Sequence, residues 1–274
     1  MHRKSPAVLL IGNWGHHEFR EAVGWLNRHT GLATADTIDH AFDLTEERGA
    51  CWHTVIFAQA RPGQFSARDV ERVGRAWPLS HFVALLGSFC EGETRSGTPW
   101  PGVARVYWHQ FLARCESQPR PGSALRIWQL PRTASDAERT EAMFAVEPDP
   151  CSGLIAVFTP DALLFDGLSL ACRKVGYATA WCPNERRCSL HGAIAAVWDG
   201  TFQGRADFGR LRCLHAQLAG VPIIALLAFP RHDQVREARE NGAAAIVSSP
   251  FMLPDLWNVI RATTDPTRSG RRAD

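Results

Sequence analysis

The sequence predicts two α/β domains in tandem, each a doubly wound, five-stranded parallel sheet. Strand and helix candidates alternate along both halves of the chain, which is the pattern of such folds. The strand candidates are short continuous apolar runs, typical of strands buried on both faces. A polar stretch with proline and glycine separates the halves. At 274 residues, the chain has room for about two domains of ordinary size.

The first half, residues 1–117, holds five strand candidates. It opens with the strand AVLLIG at 7–12 and a helix over 16–29 with an apolar stripe. A weak strand at 32–37 precedes a helix over 39–50, for which we expect Asp39 as the N-cap and Gly49 near the end. The remaining candidates are strands at 54–59, 81–89 and 104–109, a helix capped by Ser66, and a last helix beginning at Phe111.

Residues 118–150 are predicted to be a linker with one short helix. ESQPRPGS and EPDP are typical of irregular chain, and Ser135 or Asp136 can cap the helical segment between them. The second domain then covers 151–264, and residues 265–274 form a polar tail. Its first candidates are strands at 153–158, 177–181 and 193–199, helices at 161–176 and 206–220, and a short helix or loop at 184–192.

Composition and charge exclude several classes of function. The chain is 45% hydrophobic, so it can bury a core, and its net charge of +2 gives no electrostatic reason to expect a nucleic-acid partner. No apolar run approaches the roughly 18 residues needed to span a membrane, and we recognise no signal peptide. The 8 cysteines are scattered, as expected for reduced thiols. We therefore expect a cytoplasmic protein without membrane contact.

The stretch Pro222–Ile260, PIIALLAFPRHDQVREARENGAAAIVSSPFMLPDLWNVI, resembles the last third of a response-regulator receiver domain. It has an apolar strand, a charged helix ending at Asn-Gly, a second strand, Ser-Pro and an amphipathic helix. Residues 153–264 resemble a degenerate receiver over their whole length, and residues 7–117 resemble one more distantly. The resemblance implies a flavodoxin/CheY-like sheet in each half, with the site at the carboxyl ends of the strands.

The same resemblance implies that most of the phosphotransfer residues are missing. Asp199 falls at the phosphoacceptor position, but Thr159-Pro160-Asp161 stands where the family has two metal-binding acids, so Asp161 is only a weak metal candidate. Leu227 replaces a hydroxyl residue and Ser249 replaces a lysine. We expect no cofactor, and Mg²⁺ only if Asp199 is phosphorylated. Alternatively, Asp199 simply begins an Asp-Gly turn. In the first half the corresponding residues are Ala58 and its neighbour Gln59, neither of them an acid.

The segment 87–111 contains a second candidate site. It follows a predicted parallel strand, and it combines Glu91, Arg95 and His109 as polar contacts with Trp100 and Trp108 as anchors. The alternative is an ordered loop held in place by its tryptophans, and a catalytic Cys90–His109 pair is a further possibility. His16 and His17 are expected to form only a polar helix start.

These observations favour a non-enzymatic signalling protein of tandem degenerate receiver-like domains that acts by contact with a protein partner or as a homodimer. The candidate contact surface is formed by Phe251, Leu253, Trp257 and Arg236, although Trp257 could equally be core. One alternative is a response regulator still phosphorylated on Asp199. Another is a ligand-binding or catalytic protein that uses the 87–111 loop.

Overall fold

The chain divides into two compact units, Met1–Val146 and Glu147–Asp274. The structure is a computed structural model that describes residues 7–92, 97, 99–116, 130–135, 137–138, 141, 151–183, 190–201, 207–249 and 251–264. Within those residues, no helix has both the length and the apolar character required to cross a membrane.

Five parallel strands form the sheet of the first unit in the order β2-β1-β3-β4-β5. They are β1 (Ala7–Gly12), β2 (Gly31–Ala35), β3 (Thr54–Gln59), β4 (His81–Leu86) and β5 (Ala104–Tyr107). The α-helices are α1 (Arg20–His29), α2 (Ile38–Arg48), α3 (Ala67–Ala76) and α4 (Phe111–Glu116). Three short 3₁₀ turns, His17–Phe19, Ser88–Cys90 and Trp108–Gln110, replace the ends of elements that were predicted to be longer.

The helix caps of the first unit follow local side-chain chemistry. Ser66 caps α3 in a reciprocal capping box with Asp69, as predicted, and Gly49 ends α2 in the left-handed region with φ of 55°. The prediction of Asp39 as the cap of α2 was wrong. Thr37 has the extended backbone of an N-cap and accepts the backbone N–H of His40 at 3.1 Å.

The second unit has the same topology. Its sheet order is β10-β9-β8-β6-β7, formed by β6 (Leu154–Phe158), β7 (Ala178–Cys182), β8 (Ala193–Asp199), β9 (Ile223–Ala228) and β10 (Ala243–Ser249). The helices are α5 (Ala162–Lys174), α6 (Phe208–Gln217), α7 (His232–Glu240) and α8 (Leu253–Thr264). Read from its own first strand, each sheet has the order 2-1-3-4-5, so the predicted fold class is confirmed.

One connection differs between the units. In the first, the second and third strands are joined through α2, whose buried residues Ile38 and Ala41 belong to the core of that unit. In the second, only residues 183–192 separate β7 from β8, and those of them that the structure describes, 183 and 190–192, lie outside any helix. In both units, parallel pairing brings the carboxyl ends of all five strands to one edge, which is where the candidate sites lie.

Candidate functional site

Asp199 is the last residue of β8, at the carboxyl edge of the second sheet. It is 8% exposed, and its carboxylate is held by groups of its own unit. The Thr159 hydroxyl donates to Oδ2 at 2.7 Å. The Thr201 backbone N–H donates to Oδ1 at 2.9 Å, and the Thr201 hydroxyl donates to the same oxygen. Both oxygens of this buried carboxylate are therefore engaged by neighbouring side chains and backbone, in the turn that an Asp-Gly pair favours.

Thr159 joins the first and third strands of this unit at their carboxyl ends. It follows β6 directly, it is 1% exposed, and its oxygen accepts the backbone N–H of Asp161 at 3.1 Å while its hydroxyl donates to Asp199. A threonine thus occupies the place where the family resemblance implies a metal-binding acid. The hydroxyl is a donor to the carboxylate, a role that an ionised acid could not take.

Asp161, the weak metal candidate, caps α5. Its Oδ1 accepts the backbone N–H groups of Leu163 at 2.8 Å and Leu164 at 3.3 Å. Among the described residues, no group of three or more His, Cys, Asp or Glu side chains could hold a metal ion. The donor set around Asp199, two threonines and a capping aspartate, does not fit Mg²⁺, which prefers carboxylates combined with water and phosphate oxygens.

The fourth and fifth strands contribute apolar and neutral groups to this edge. Leu227 is buried, and its Cδ2 lies 2.7 Å from the position that a Cβ on Gly200 would take, so it packs directly over the residue after Asp199. Ser249 ends β10, and its carbonyl accepts the backbone N–H of Phe229 at 3.3 Å. Phe229 is half exposed and has a positive φ of 44°, which is unusual for a bulky residue.

In the first unit, the position that corresponds to the phosphoacceptor is Ala58, which is fully buried. The next residue, Gln59, is also buried, and its side-chain Nε2 lies 3.6 Å from Cys90 Sγ. The Cys90 thiol in turn donates to the Gln59 carbonyl at 3.4 Å. Cys90 is therefore hydrogen-bonded to the last residue of β3 and acts as a packed core residue.

A buried carboxylate that the sequence analysis missed lies at the same edge. Glu18 is 4% exposed; its Oε2 accepts the Ser88 backbone N–H at 3.0 Å, and its Oε1 accepts the Ser88 hydroxyl. His16 Nδ1 lies 3.7 Å from Oε2. The sequence contained a signal, because Glu18 is one and two helical turns before Ala22 and Leu26, which line the buried stripe of α1.

The 87–111 segment brings some of its predicted site residues together. His109 Nε2 lies 3.4 Å from Glu91 Oε1, and both side chains are nine-tenths or more buried. Trp108 packs edge-on to His109, with ring centroids 5.5 Å apart. Trp100 instead packs edge-on to Phe57, at 5.6 Å, and Phe65, at 6.0 Å, in the core of the first unit. Arg95 lies outside the described residues.

The predicted contact surface of the second unit is only partly at the surface. Trp257 is 4% exposed, and its Nε1 donates to the Ala171 carbonyl at 3.0 Å, so it fastens α8 to α5 in the core. Phe251 and Leu253 are half-buried. Arg236 is exposed, with its Nε 3.7 Å from Glu240 one turn later. Of the two alternatives for Trp257, core or contact surface, the structure supports the core, because α8 turns this side chain inward.

No family model matches this chain, and no curated protein matches it. Solved structures that are similar to it include the receiver domain of Francisella response regulator 1452, at 16% identity and a TM-score of 0.38 over 42% of this chain and 98% of that one. A receiver protein from Pseudoalteromonas atlantica gives 15% identity and 0.37, covering 40% and 95%. A putative two-component system response regulator/GGDEF domain protein gives 12% identity and 0.36, covering 94% and 97%.

All of these TM-scores are below 0.5, so the fold of each unit is assigned from its own strand order. The strand order 2-1-3-4-5, found in both sheets, is that of flavodoxin and CheY. Each unit of this chain therefore has a flavodoxin/CheY-like fold.

Proposed function

We propose that this chain is a non-enzymatic regulatory protein of two-component type signalling, whose two degenerate receiver-like units act through contact with other proteins rather than through phosphoryl transfer. The observation that carries the proposal is the state of Asp199. Its carboxylate is buried and accepts three hydrogen bonds, from Thr159 and Thr201.

Phosphoryl transfer to a carboxylate requires positive charge around the reacting oxygens, normally a divalent cation and a lysine or arginine. The second unit offers Thr159, Leu227 and Ser249 at the positions where the receiver resemblance calls for an acid, a hydroxyl and a lysine. Attack by Asp199 would also break the hydrogen bonds that now satisfy it. These features support a structural role for this aspartate. In the first unit, Ala58 at the corresponding position has no carboxylate that could accept a phosphoryl group.

The Glu91–His109 pair supports a second candidate function, the binding of a small polar ligand at the edge of the first sheet. Both side chains are buried, His109 Nε2 lies 3.4 Å from Glu91 Oε1, and among the described residues His109 Nδ1 has no hydrogen-bond partner. A buried polar atom without a partner costs free energy, so a ligand group that supplied one would bind favourably. If a small polar ligand binds to wild type, loss of that binding in both Glu91→Gln and His109→Phe, with the folded state intact, would favour this function.

The intact mass of the purified chain tests the first proposal directly. Wild type, Asp199→Ala and an ordinary receiver would be incubated with Mg²⁺ and a small-molecule phosphodonor. We expect a phosphoryl adduct on the ordinary receiver and none on this chain. An adduct on wild type that disappears in Asp199→Ala would overturn the proposal and make the chain a working response regulator.

A matched gain-of-function variant sharpens the test. Thr159→Asp combined with Leu227→Thr and Ser249→Lys introduces an acid, a hydroxyl and a cation at the three positions. If the missing groups are the reason for inactivity, this variant acquires the adduct that wild type lacks.

A further inference from the structure

Residues 130–135, within the predicted linker, pack against the first unit. We call this segment the strap. At Gly102, which precedes β5, a built Cβ would lie 2.5 Å from the Arg132 carbonyl oxygen, so the backbone of the strap lies directly against this glycine. The Leu130 carbonyl lies 3.5 Å from Nδ1 of His81, the first residue of β4. The strap therefore crosses the amino ends of the last two strands of this sheet.

The side chain of Arg132 fills a cradle formed by α3 and β4. A Cβ built on Gly74 of α3 would overlap its Nη1, so the guanidinium lies where any larger residue would place a side chain. The guanidinium carbon lies 5.3 Å from the centroid of the Phe82 ring, within the range of a cation–π contact. Nη2 donates to Glu71 Oε2 at 2.9 Å. The cradle thus combines a glycine notch, an aromatic face and a carboxylate, which suit a planar, charged guanidinium.

The electrostatics of the cradle favour a cation. Arg132, by donating to Glu71, holds the pKa of that carboxyl below its usual value, and Arg75 adds a smaller contribution. Glu71 is half exposed, and Arg75 Nε lies 3.3 Å from its other oxygen. The carboxylate therefore stays ionised at neutral pH, and it keeps one guanidinium partner when Arg132 leaves.

The corresponding position in the second unit is occupied by a helix. There α7 connects the fourth and fifth strands and packs beside α6, the equivalent of α3. In the first unit, the described part of that connection contains the 3₁₀ turn Ser88–Cys90 and no α-helix. The strap covers α3 instead. Unlike a helix held between two strands, it follows α4 through residues 117–129, so it can leave the cradle without disturbing the sheet.

The contacts of the strap are imperfect in two places. Arg132 Nε is buried, yet among the described residues it has no hydrogen-bond partner, which costs free energy in the docked state. The 3.5 Å between the Leu130 carbonyl and His81 Nδ1 is at the long limit of a hydrogen bond. A segment held in this way opens more readily than the sheet beneath it. A partner that supplied better contacts from the same position would therefore displace it.

We propose that the strap is a displaceable internal ligand, and that the cradle is a docking site for an extended, arginine-containing segment of a partner protein. The strap itself shows which chemistry the cradle accepts, because Arg132 is already seated there. The inference deepens the proposed function and rests on it, since a chain that acts by contact needs a surface that a partner can reach. A tethered strap competes at an effective concentration of about millimolar order, so it masks the site until the partner segment is abundant or binds more tightly.

Fluorescence anisotropy with a labelled peptide, LPRTAS, tests the docking site directly. Its sequence is that of residues 130–135. In the full chain with Arg132→Ser, which empties the cradle, we expect the peptide to bind with a dissociation constant of about 10–300 µM. Binding to wild type should be at least about tenfold weaker, because the strap occupies the site. Arg68→Ser, which replaces an exposed arginine on the same helix as Glu71, is the matched control and should behave as wild type.

Two further controls decide whether the peptide uses the cradle. The same peptide with Arg132→Ala should bind none of the chains, since the guanidinium is the group recognised. Adding Gly74→Ala to the Arg132→Ser chain should weaken binding at least about fivefold, because the new methyl group lies where the guanidinium rests. Alanine is the better helix former, so a loss of binding would not come from a weakened α3. No binding to Arg132→Ser, equal binding to wild type, or indifference to Gly74→Ala would each overturn the inference.

Tryptic cleavage after Arg132 measures release of the strap in a chain that keeps this arginine, because trypsin must take up the arginine side chain. Gly74→Ala pushes the guanidinium out of the cradle and should speed this cleavage at least about fivefold. Gly24→Ala in α1 is the matched control, since a Cβ there meets only ordinary van der Waals contact. Equal rates in Gly74→Ala and wild type would show that the cradle does not hold the strap and would overturn the inference.

The two proposals fail separately. A phosphoryl adduct on Asp199 would overturn the proposed function whether or not the peptide binds. A chain that takes no phosphoryl group and does not bind the peptide would overturn only the docking site at the cradle, and contact with other proteins through another surface would remain.

Discussion

Each unit buries a carboxylate at the carboxyl edge of its sheet, but the two carboxylates come from different places in the fold. In the first unit, Glu18 reaches from the turn after β1 to Ser88 after β4, 70 residues away. In the second, Asp199 stands on the third strand and receives Thr159 from the first. In each case a serine or threonine hydroxyl donates to the acid. In both units the edge of the sheet therefore holds a buried carboxylate whose oxygens accept hydrogen bonds, although a different residue supplies it in each.

The largest loss in the free energy of unfolding is expected from a substitution in the last helix of a unit. Phe111 of α4 packs edge-on to Trp25 of α1, whereas Trp257 of α8 donates to the Ala171 carbonyl of α5. We expect Trp257→Ala to lower the free energy of unfolding by about 3–5 kcal/mol, because it removes a buried aromatic ring. Urea denaturation followed by circular dichroism measures this.

The exposed Arg236→Ala is the control and should change the free energy of unfolding by less than about 0.5 kcal/mol. Wild-type stability in Trp257→Ala would contradict the core position of this ring and return it to the contact surface.

The buried carboxylates themselves give the next effect. We expect Glu18→Gln and Asp199→Asn each to reduce the free energy of unfolding by about 1–3 kcal/mol, because each loses hydrogen bonds to a charged acceptor. The Ser88→Ala/Glu18→Gln double variant should lose less than the sum of the two single variants, since both remove the same interaction.

The same measurement distinguishes the role of Asp199 from that of Glu18. Residues kept for chemistry are often held at the expense of stability. If Asp199→Asn stabilises the protein while Glu18→Gln destabilises it, Asp199 is not the structural counterpart of Glu18.

The smallest change in the free energy of unfolding is expected at the amino ends of the two fourth strands. β4 begins at His81 and β9 begins at Ile223. Burial lowers the pKa of His81, and the neighbouring His53 adds to the shift. The unfolded chain therefore binds a proton more readily than the folded chain does. The free energy of unfolding is larger above the unfolded pKa of about 6.5 and decreases as the pH falls below it.

Thermal or urea unfolding between pH 7.5 and 5.5 should show this loss as less than about 1 kcal/mol, since His81 is only partly buried. His81→Asn should flatten the pH profile, whereas the exposed His40→Asn should leave most of the slope unchanged. An identical slope in wild type and His81→Asn would rule out this histidine as its source.

The sequence was sufficient where the determining contacts are local. The strands 54–59 and 193–199 were predicted with the bounds that the structure has, because continuous apolar runs between turn residues define buried strands. Ser66 was identified as a cap, and its capping-box partner, Asp69, is only three residues away. Local chemistry was less decisive at α2, where Thr37 and Asp39 are both good caps and the backbone conformation selected Thr37.

The candidate site was harder to predict, since its partners are distant in sequence. Nothing near Glu18 indicates Ser88, and nothing near Thr159 indicates that its hydroxyl would bond Asp199. The pairing of Glu91 with His109 could be anticipated only as two polar residues in one unusual segment. The inward direction of Trp257 depends on how α8 lies against α5.

The Thr159–Asp199 hydrogen bond also constrains how the second unit can evolve. With their oxygens 2.7 Å apart, replacing Thr159 alone by an acid would bring two negative charges together where residue 249 is a serine and not a lysine. This single step toward a metal-binding phosphoacceptor is therefore disfavoured.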